Sequence, residues 1–213
     1  INCVATFFET RSQSFNALHV NAARNLASVA KREGINHFIH ISSLGASPES
    51  SSRLLKSKGA GEESVIDCFP SANIVRPSLI FGNEDTFFNR FAKLSSISPF
   101  IPVVGSNTKF QPVYVDDVAK VISLLIETDQ KKKYIELGGD EIYTFKELID
   151  MLLTEIKRKR IILKIPFFLA RVIAATNDFF RSILGDIIPA FLTLAQVKSL
   201  ENDNVVVGEA ENF

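Results

Sequence analysis

Tryptophan is absent from this 213-residue chain, methionine occurs once, at Met151, and cysteine only twice, at Cys3 and Cys68. Two lone cysteines at no metal-ligand spacing exclude a disulfide-stapled scaffold; they suit a reducing compartment, and both are expected to be reduced. An excess of charge of one sign is also missing. The 24 basic and 24 acidic residues cancel, which argues against a nucleic-acid partner, and the local run Lys157, Arg158, Lys159, Arg160 reads as a solvated helix end. No apolar run approaches the ~20 residues that span a bilayer. The front lacks the basic segment, apolar core and cleavage site of an export signal, so the sequence predicts a chain that is neither transmembrane nor exported. His19, His37 and His40 stand at no ligand spacing, and no metal is expected.

What is present is an ordinary globular composition, 46% hydrophobic and 23% charged, with a clear alternation of periods. Residues 1–5 read as a strand. Residues 15–32 read as an amphipathic helix with Leu18, Ala22, Leu26, Val29 and Ala30 on its core face, ended by Gly34. A strand at 37–42, a helix capped within 50–52 and running to about 68, and a strand at 73–76 stopped by Pro77 complete a strand-helix alternation. Such an alternation predicts right-handed crossovers and a parallel, doubly wound α/β sheet. Beyond it, the sequence predicts a helix over 86–94, a strand at 111–115, a helix capped by Asp116 with Val118, Val121, Ile122 and Leu125 inward, and a strand at 134–137. Thr144 and Glu147 stand at capping-box spacing for a helix over 144–156. Over 167–184, Phe168, Leu169, Val172, Ile173, Phe179, Phe180, Ile183 and Leu184 share one helical face, and Arg171, Asp178, Arg181 and Ser182 the other. That face either packs on the chain's own small domain or meets a partner or membrane surface.

The chemistry concentrates in FIHISSLGASPESSSRLLKSK at 38–58. A strand ends in Ser42 and Ser43, and the helix after it carries Lys58 with Leu54 four residues earlier, on the same face. The passage resembles the Ser/Thr and Tyr-x-x-x-Lys site of the short-chain dehydrogenases, in which a tyrosine at position 54 would stand beside the ammonium, its phenol drawn towards neutral pKa; leucine can neither donate nor accept the proton. A general acid or base is worth about 10²- to 10⁴-fold in rate. A chain with Ser43 and Lys58 but no phenol is therefore expected to bind better than it turns over.

With this passage, the order of INCVA, FIHISS, RPSLIFG, FQPVYVDDVAKVI and YIELGGDEIYTFKEL resembles the later two-thirds of an extended short-chain dehydrogenase/reductase, of the NAD-dependent epimerase/dehydratase kind. The leucine at 54 and the phenylalanine-rich C-terminal region are similar to the atypical branch that contains the dinucleotide-binding accessory subunit of respiratory complex I and its bacterial relatives. The resemblance implies that Val4, Ala5, Ser42, Lys58, Pro77, Ser78, Ile80 and Phe81 line NADPH or NADH, with NADPH favoured, and that Lys58 bonds the nicotinamide ribose. Ser43 takes the place of the residue that holds a substrate carbonyl, and Ser43, Leu54 and Lys58 together form a vestigial catalytic set.

The resemblance further implies a non-catalytic structural or assembly subunit with complex I partners. It would sit on the cytoplasmic or matrix side, soluble or peripheral to the respiratory membrane, with possible membrane contact through 167–184. An active epimerase, dehydratase or reductase and a dinucleotide-sensing regulator are the alternatives. The implied domains are 1–82, completed by about 113–140, as the later part of a Rossmann domain, and 83–112 with 141–213 as a smaller C-terminal domain. The family's glycine-rich phosphate turn does not occur before the first helix, so NAD and NADP are not distinguished. The strand at 1–5 would also lack its neighbour, which predicts roughly a hundred further residues upstream, judged from the missing strand-helix units.

Overall fold

A computed structural model gives the fold of residues 1–10, 12–128, 133–184 and 192–207, with the backbone alone over 180–184. A π-helical stretch (Asn16–Ala22) runs without a break into α1 (Ala23–Arg32), followed by β1 (Ile39–Ile41), α2 (Arg53–Cys68), β2 (Asn73–Pro77), β3 (Ile80–Phe81), α3 (Phe87–Ile97) and β4 (Phe100–Val104). Then come β5 (Lys109–Phe110), β6 (Val113–Tyr114), α4 (Val115–Glu127), β7 (Tyr134–Leu137), β8 (Tyr143–Thr144), α5 (Phe145–Glu155), β9 (Ile161–Ile165), α6 (Phe167–Leu184) and α7 (Leu194–Ser199).

Strands β1, β2 and β7 form a parallel sheet in that order, with Ile39 opposite Asn73 and Ile74 opposite Tyr134. Side chains alternate across a strand, and here the alternation decides the packing. Phe38 and Ile74 join Ala23, Ala27, Val65 and Phe69 from the α1 and α2 side. Ile39, Val75 and Ile135 turn the other way, against Val118 and Leu125 of α4. Helices on both faces of parallel strands make the doubly wound α/β arrangement, as the sequence predicts. A second body joins β4 to β9 in parallel and β5 to β8 antiparallel. Its core is largely phenylalanine: Phe110 and Phe145 pack with Phe87 and Phe91 around Ile101, Val103 and Ile149. Thr144 and Glu147 form the expected capping box at the start of α5.

Several local expectations fail for identifiable reasons. Residues 1–5 form no strand; only Asn2 pairs, as a single parallel bridge to His40, while Val4 and Ala5 lie exposed. The buried stripe of the first helix is Phe15, His19, Ala23 and Ala27, whereas Leu26 and Val29 are 45% and 44% exposed. The neighbouring helix comes too close for larger side chains. A Cβ on Gly61 of α2 would stand 2.1 Å from the His19 carbonyl oxygen. Asp116 is not the cap of α4, which starts at Val115 from Tyr114; Asp116 and Asp117 sit in the first turn, where their charge suits the helix dipole. Nor does the Ser52 hydroxyl cap α2, because it donates to Ala195 O instead. Arg158 and Arg160 are not simply solvated, since they donate to the Ala92 and Ser95 carbonyls at the end of α3. The face of α6 that packs inward is Ala170 and Ala174; Phe168, Leu169, Val172, Ile173 and Phe179 are exposed. Phe180, Arg181, Ser182, Ile183 and Leu184 lie outside the described side chains.

The approach at Gly61 makes a direct prediction. Gly61→Ala is expected to lower stability by about 2 kcal/mol, the overpacking cost outweighing the ~1 kcal/mol that alanine gains in a helix. Denaturant midpoints of the two proteins would measure it, and an unchanged or raised midpoint would show that the helices separate freely.

Candidate dinucleotide site

Chain geometry sets Ser42 and Ser43 just past the end of β1 and Lys58 on the second turn of α2. The Lys58 ammonium is buried and donates to Ser42 O at 3.3 Å. Burial pushes it down to about 8, against the opposing pull of the Glu62 carboxylate. Beside it, the hydroxyl oxygens of Ser42 and Ser43 are buried with no hydrogen-bond partner. A buried, unpaired polar atom costs about 1–3 kcal/mol. Two of them near a buried cation mark a candidate place for an external hydrogen-bonding group. Leu54, four residues before Lys58, is itself buried and closes that helical face with hydrocarbon.

A polar network not foreseen from the sequence lies below this cluster. Thr6 N–H donates to His19 Nε2 (3.1 Å), and the other ring nitrogen of His19 is 2.8 Å from Ser57 Oγ. Ser57 gives its own proton to Leu54 O, so the hydrogen between His19 and Ser57 belongs to His19 Nδ1. His40 Nδ1 accepts from the Asn2 side chain at 3.0 Å. Burial, helped by the charge of Lys58, lowers both imidazoles to about 4, so they are neutral acceptors at physiological pH. They hold the 2–6 segment, with Val4 and Ala5, alongside the β1 end. The sequence offered only isolated histidines; the clue it did contain is Gly61 inside a helix, a residue placed there where another backbone comes close.

The rest of the expected lining is less open. Pro77 ends β2, and Ile80 and Phe81 are a strand, β3, paired with Val113 and Tyr114 of β6. Ser78 is buried; its N–H donates to Leu137 O and its hydroxyl is taken by Asn204, 2.7 Å from Oδ1 and 2.9 Å from the carbonyl oxygen. Ser42, Ser43 and Lys58 therefore come together with two hydroxyls unpaired, whereas the Ser78 hydroxyl is occupied by the chain itself. Glu62, one turn after Lys58, is a second residue the sequence reading missed. It is 2% exposed and accepts two bonds from Arg76, at 3.0 and 2.6 Å, while Arg76 also lies 3.7 Å from Glu136. A cleft of about 430 Å³ between Gly105–Thr108, Lys164–Phe167, Glu201 and Asp203 shares no residue with the Lys58 cluster.

Parallel strands with helices on both faces, and a lysine and two unpaired hydroxyls where β1 ends, make a Rossmann-type α/β arrangement. No family model matches the chain. It is 36% identical, over its whole length and 54% of the relative's, to "NADH dehydrogenase (ubiquinone) 1 alpha subcomplex subunit 9, mitochondrial" of Arabidopsis thaliana. It is also 30% identical, again over its whole length and 54% of the relative's, to the "NADH-ubiquinone oxidoreductase 40 kDa subunit, mitochondrial" of Neurospora crassa. Among solved structures, dTDP-4-dehydrorhamnose reductase from Bacillus anthracis in complex with NADP superposes with a TM-score of 0.62 at 20% identity, over 77% of this chain and 64% of the reductase. The chain is homologous to these respiratory-complex subunits and shares its fold with the NADP-bound reductase. It spans about half the length of the curated relatives it matches.

Proposed function

We propose that the protein is a nicotinamide-dinucleotide-binding, non-catalytic subunit associated with respiratory NADH:ubiquinone oxidoreductase, on the cytoplasmic or matrix side. The observation that carries this reading is the pairing of two orphaned hydroxyls and a buried Lys58 with an apolar Leu54 at the position of the proton donor. These residues fit a dinucleotide's ribose and amide groups. Lys58 would donate to the ribose hydroxyls, Ser42 and Ser43 would satisfy their own unpaired oxygens against the ligand, and the segment with Val4 and Ala5 would flank it. A bound dinucleotide would supply hydride chemistry, but no side chain at position 54 delivers a proton to complete a reduction. NADPH is favoured by the family resemblance. The resemblance also supports further residues upstream, carrying a glycine-rich phosphate turn, and the division into a Rossmann part (1–82 with about 113–140) and a smaller part (83–112 and 141–213). The exposed Phe168, Val172 and Phe179 of α6 support a seat for that helix against a subunit of the complex or the adjoining membrane surface. Among the described residues, no helix is long and apolar enough to cross a membrane.

The test is a titration of the full-length protein with NADPH and NADH, with consumption of reduced cofactor followed in the same sample against sugar-nucleotide and carbonyl substrates. Binding without turnover is the expected result; turnover would transfer the protein to the active reductases or epimerases. Lys58→Met is expected to weaken binding by at least ~10-fold, the loss of a charge-assisted bond. Binding by the parent is expected to weaken as pH rises through about 8, where the Lys58 ammonium loses its proton. Affinity that is the same at pH 7 and 9 would remove Lys58 from the site.

A further inference from the structure

Residues 203–207 lie as a strap beside β5, tied mostly to Lys109 and Gln111, with contacts at Asn204 and Val207 that lead toward the candidate site. Asn204 bridges to Phe110 in parallel fashion: Asn204 N–H donates to Lys109 O (2.8 Å), and Gln111 N–H donates to Asn204 O (3.1 Å). Lys109 N–H donates to Asp203 Oδ1 (2.8 Å), and Val206 N–H to Gln111 Oε1 (3.0 Å). Two further contacts lead inward. Ser78, on the loop that follows β2, donates to Asn204. Val207 N–H donates to Glu136 Oε2 at 3.3 Å, and Glu136 shares Arg76 with Glu62. Glu62 is one helical turn from Lys58 on α2, on the same face.

The strap is thus tied to the Lys58 helix through Glu136, Arg76 and Glu62, and to the Pro77–Phe81 loop through Ser78. Its far end is the most lightly held: Val207 is 90% exposed and its N–H makes a single bond, to Glu136. A segment with few buried apolar contacts opens at low free energy, so docked and undocked states are both accessible. We propose that docking of the 203–207 strap is thermodynamically linked to dinucleotide occupancy of the Ser42–Lys58 site, a linkage that rests on the dinucleotide reading given above. A docked strap fixes the Ser78 loop and the Arg76–Glu62 pair behind Lys58. A dinucleotide that meets walls already ordered loses less conformational entropy on binding, which makes the coupling positive. Because the coupling is reciprocal, a bound dinucleotide tightens the strap. The strap in turn covers Ser78, so the site takes a dinucleotide while the Ser78 side stays closed to a second molecule.

Hydrogen–deuterium exchange on the full-length protein, with and without NADPH, tests the linkage, with NADPH binding followed by its fluorescence in the same samples. Saturating NADPH is expected to slow exchange of the Asn204, Val206 and Val207 amides by ~5-fold or more. Asn204→Ala is expected to speed exchange at Val206 and Val207 and to weaken NADPH by a similar factor; the exchange pattern of α2 and β2 in the same data shows whether the variant is folded. Bound NADPH with unchanged strap exchange, or a loosened strap with unchanged NADPH affinity, would overturn the linkage and leave the dinucleotide site standing. Absence of NADPH binding in the parent would overturn the site and the linkage together.

Discussion

Glu62→Ala is expected to destabilise the protein by about 3 kcal/mol or more, the range in which breaking a buried ion pair falls. Its carboxylate is almost fully enclosed and receives both the Nε and the Nη2 hydrogens of Arg76. Removing it leaves a guanidinium near the end of the central strand with Glu136, at 3.7 Å, as an ion partner. Arg76 also stacks 4.5 Å from the centre of the Tyr134 ring, so the charge cannot swing into solvent without giving up that contact too. The double variant Glu62→Ala, Arg76→Ala is expected to be less damaged than the sum of the two single variants, because the second change removes the charge that the first one stranded. Urea midpoints for the four proteins close the cycle. A Glu62 variant as stable as the parent would mean that the pair is dispensable.

The second large effect is on acid stability. His19 and His40 hold a pKa of about 4 in the fold against 6.5 when free, because burial penalises the imidazolium and Lys58 repels it. As pH falls below 6.5, the unfolded chain takes up protons that the native chain refuses. The stability these groups contribute is therefore complete above 6.5 and is lost progressively down to about 4. At ~1.4 kcal/mol per unit of pKa, each histidine accounts for about 3 kcal/mol across that window. Protonation of His19 also removes the acceptor for Thr6 N–H, so the 2–6 segment should come loose first. Denaturant titrations at pH 7 and 4.5 are expected to differ by several kcal/mol, and His19→Gln to shrink the difference. A flat profile would show that the two imidazoles titrate in the native protein as they do in the unfolded chain.

Much of the fold was legible because its signals are local. An alternating strand marked β1, an apolar run stopped by Pro77 marked β2, the Thr144–Glu147 pair marked α5, and the spacing of Val118 and Leu125 marked the inward face of α4. The site was legible in part for the same reason: Ser42, Ser43 and Lys58 are brought together by a single strand-to-helix step. What escaped depends on approach between distant segments. The face of the first helix was misplaced because size suggested Leu26 and Val29, whereas contact with Gly61 admits only alanine and a histidine edge. The family resemblance put Ser78 on the cofactor lining, but Asn204, 126 residues further on, takes its hydroxyl. The Glu62–Arg76 pair joins a helix to a strand across the sheet and has no sequence period to announce it.

Phe168, Val172 and Phe179 are 69%, 61% and 60% exposed, and Ile161 and Leu163 on the strand before them are 57% and 44% exposed. Apolar surface gathered in this way is what chaperones and degradative proteases recognise on a folded but unaccompanied protein. If α6 takes the seat proposed for it, the cellular half-life of the chain would depend less on its folding equilibrium than on how soon after synthesis that helix finds cover. Copies made in excess of the available cover would be cleared, and the steady-state level of the protein would follow that of whatever it sits on.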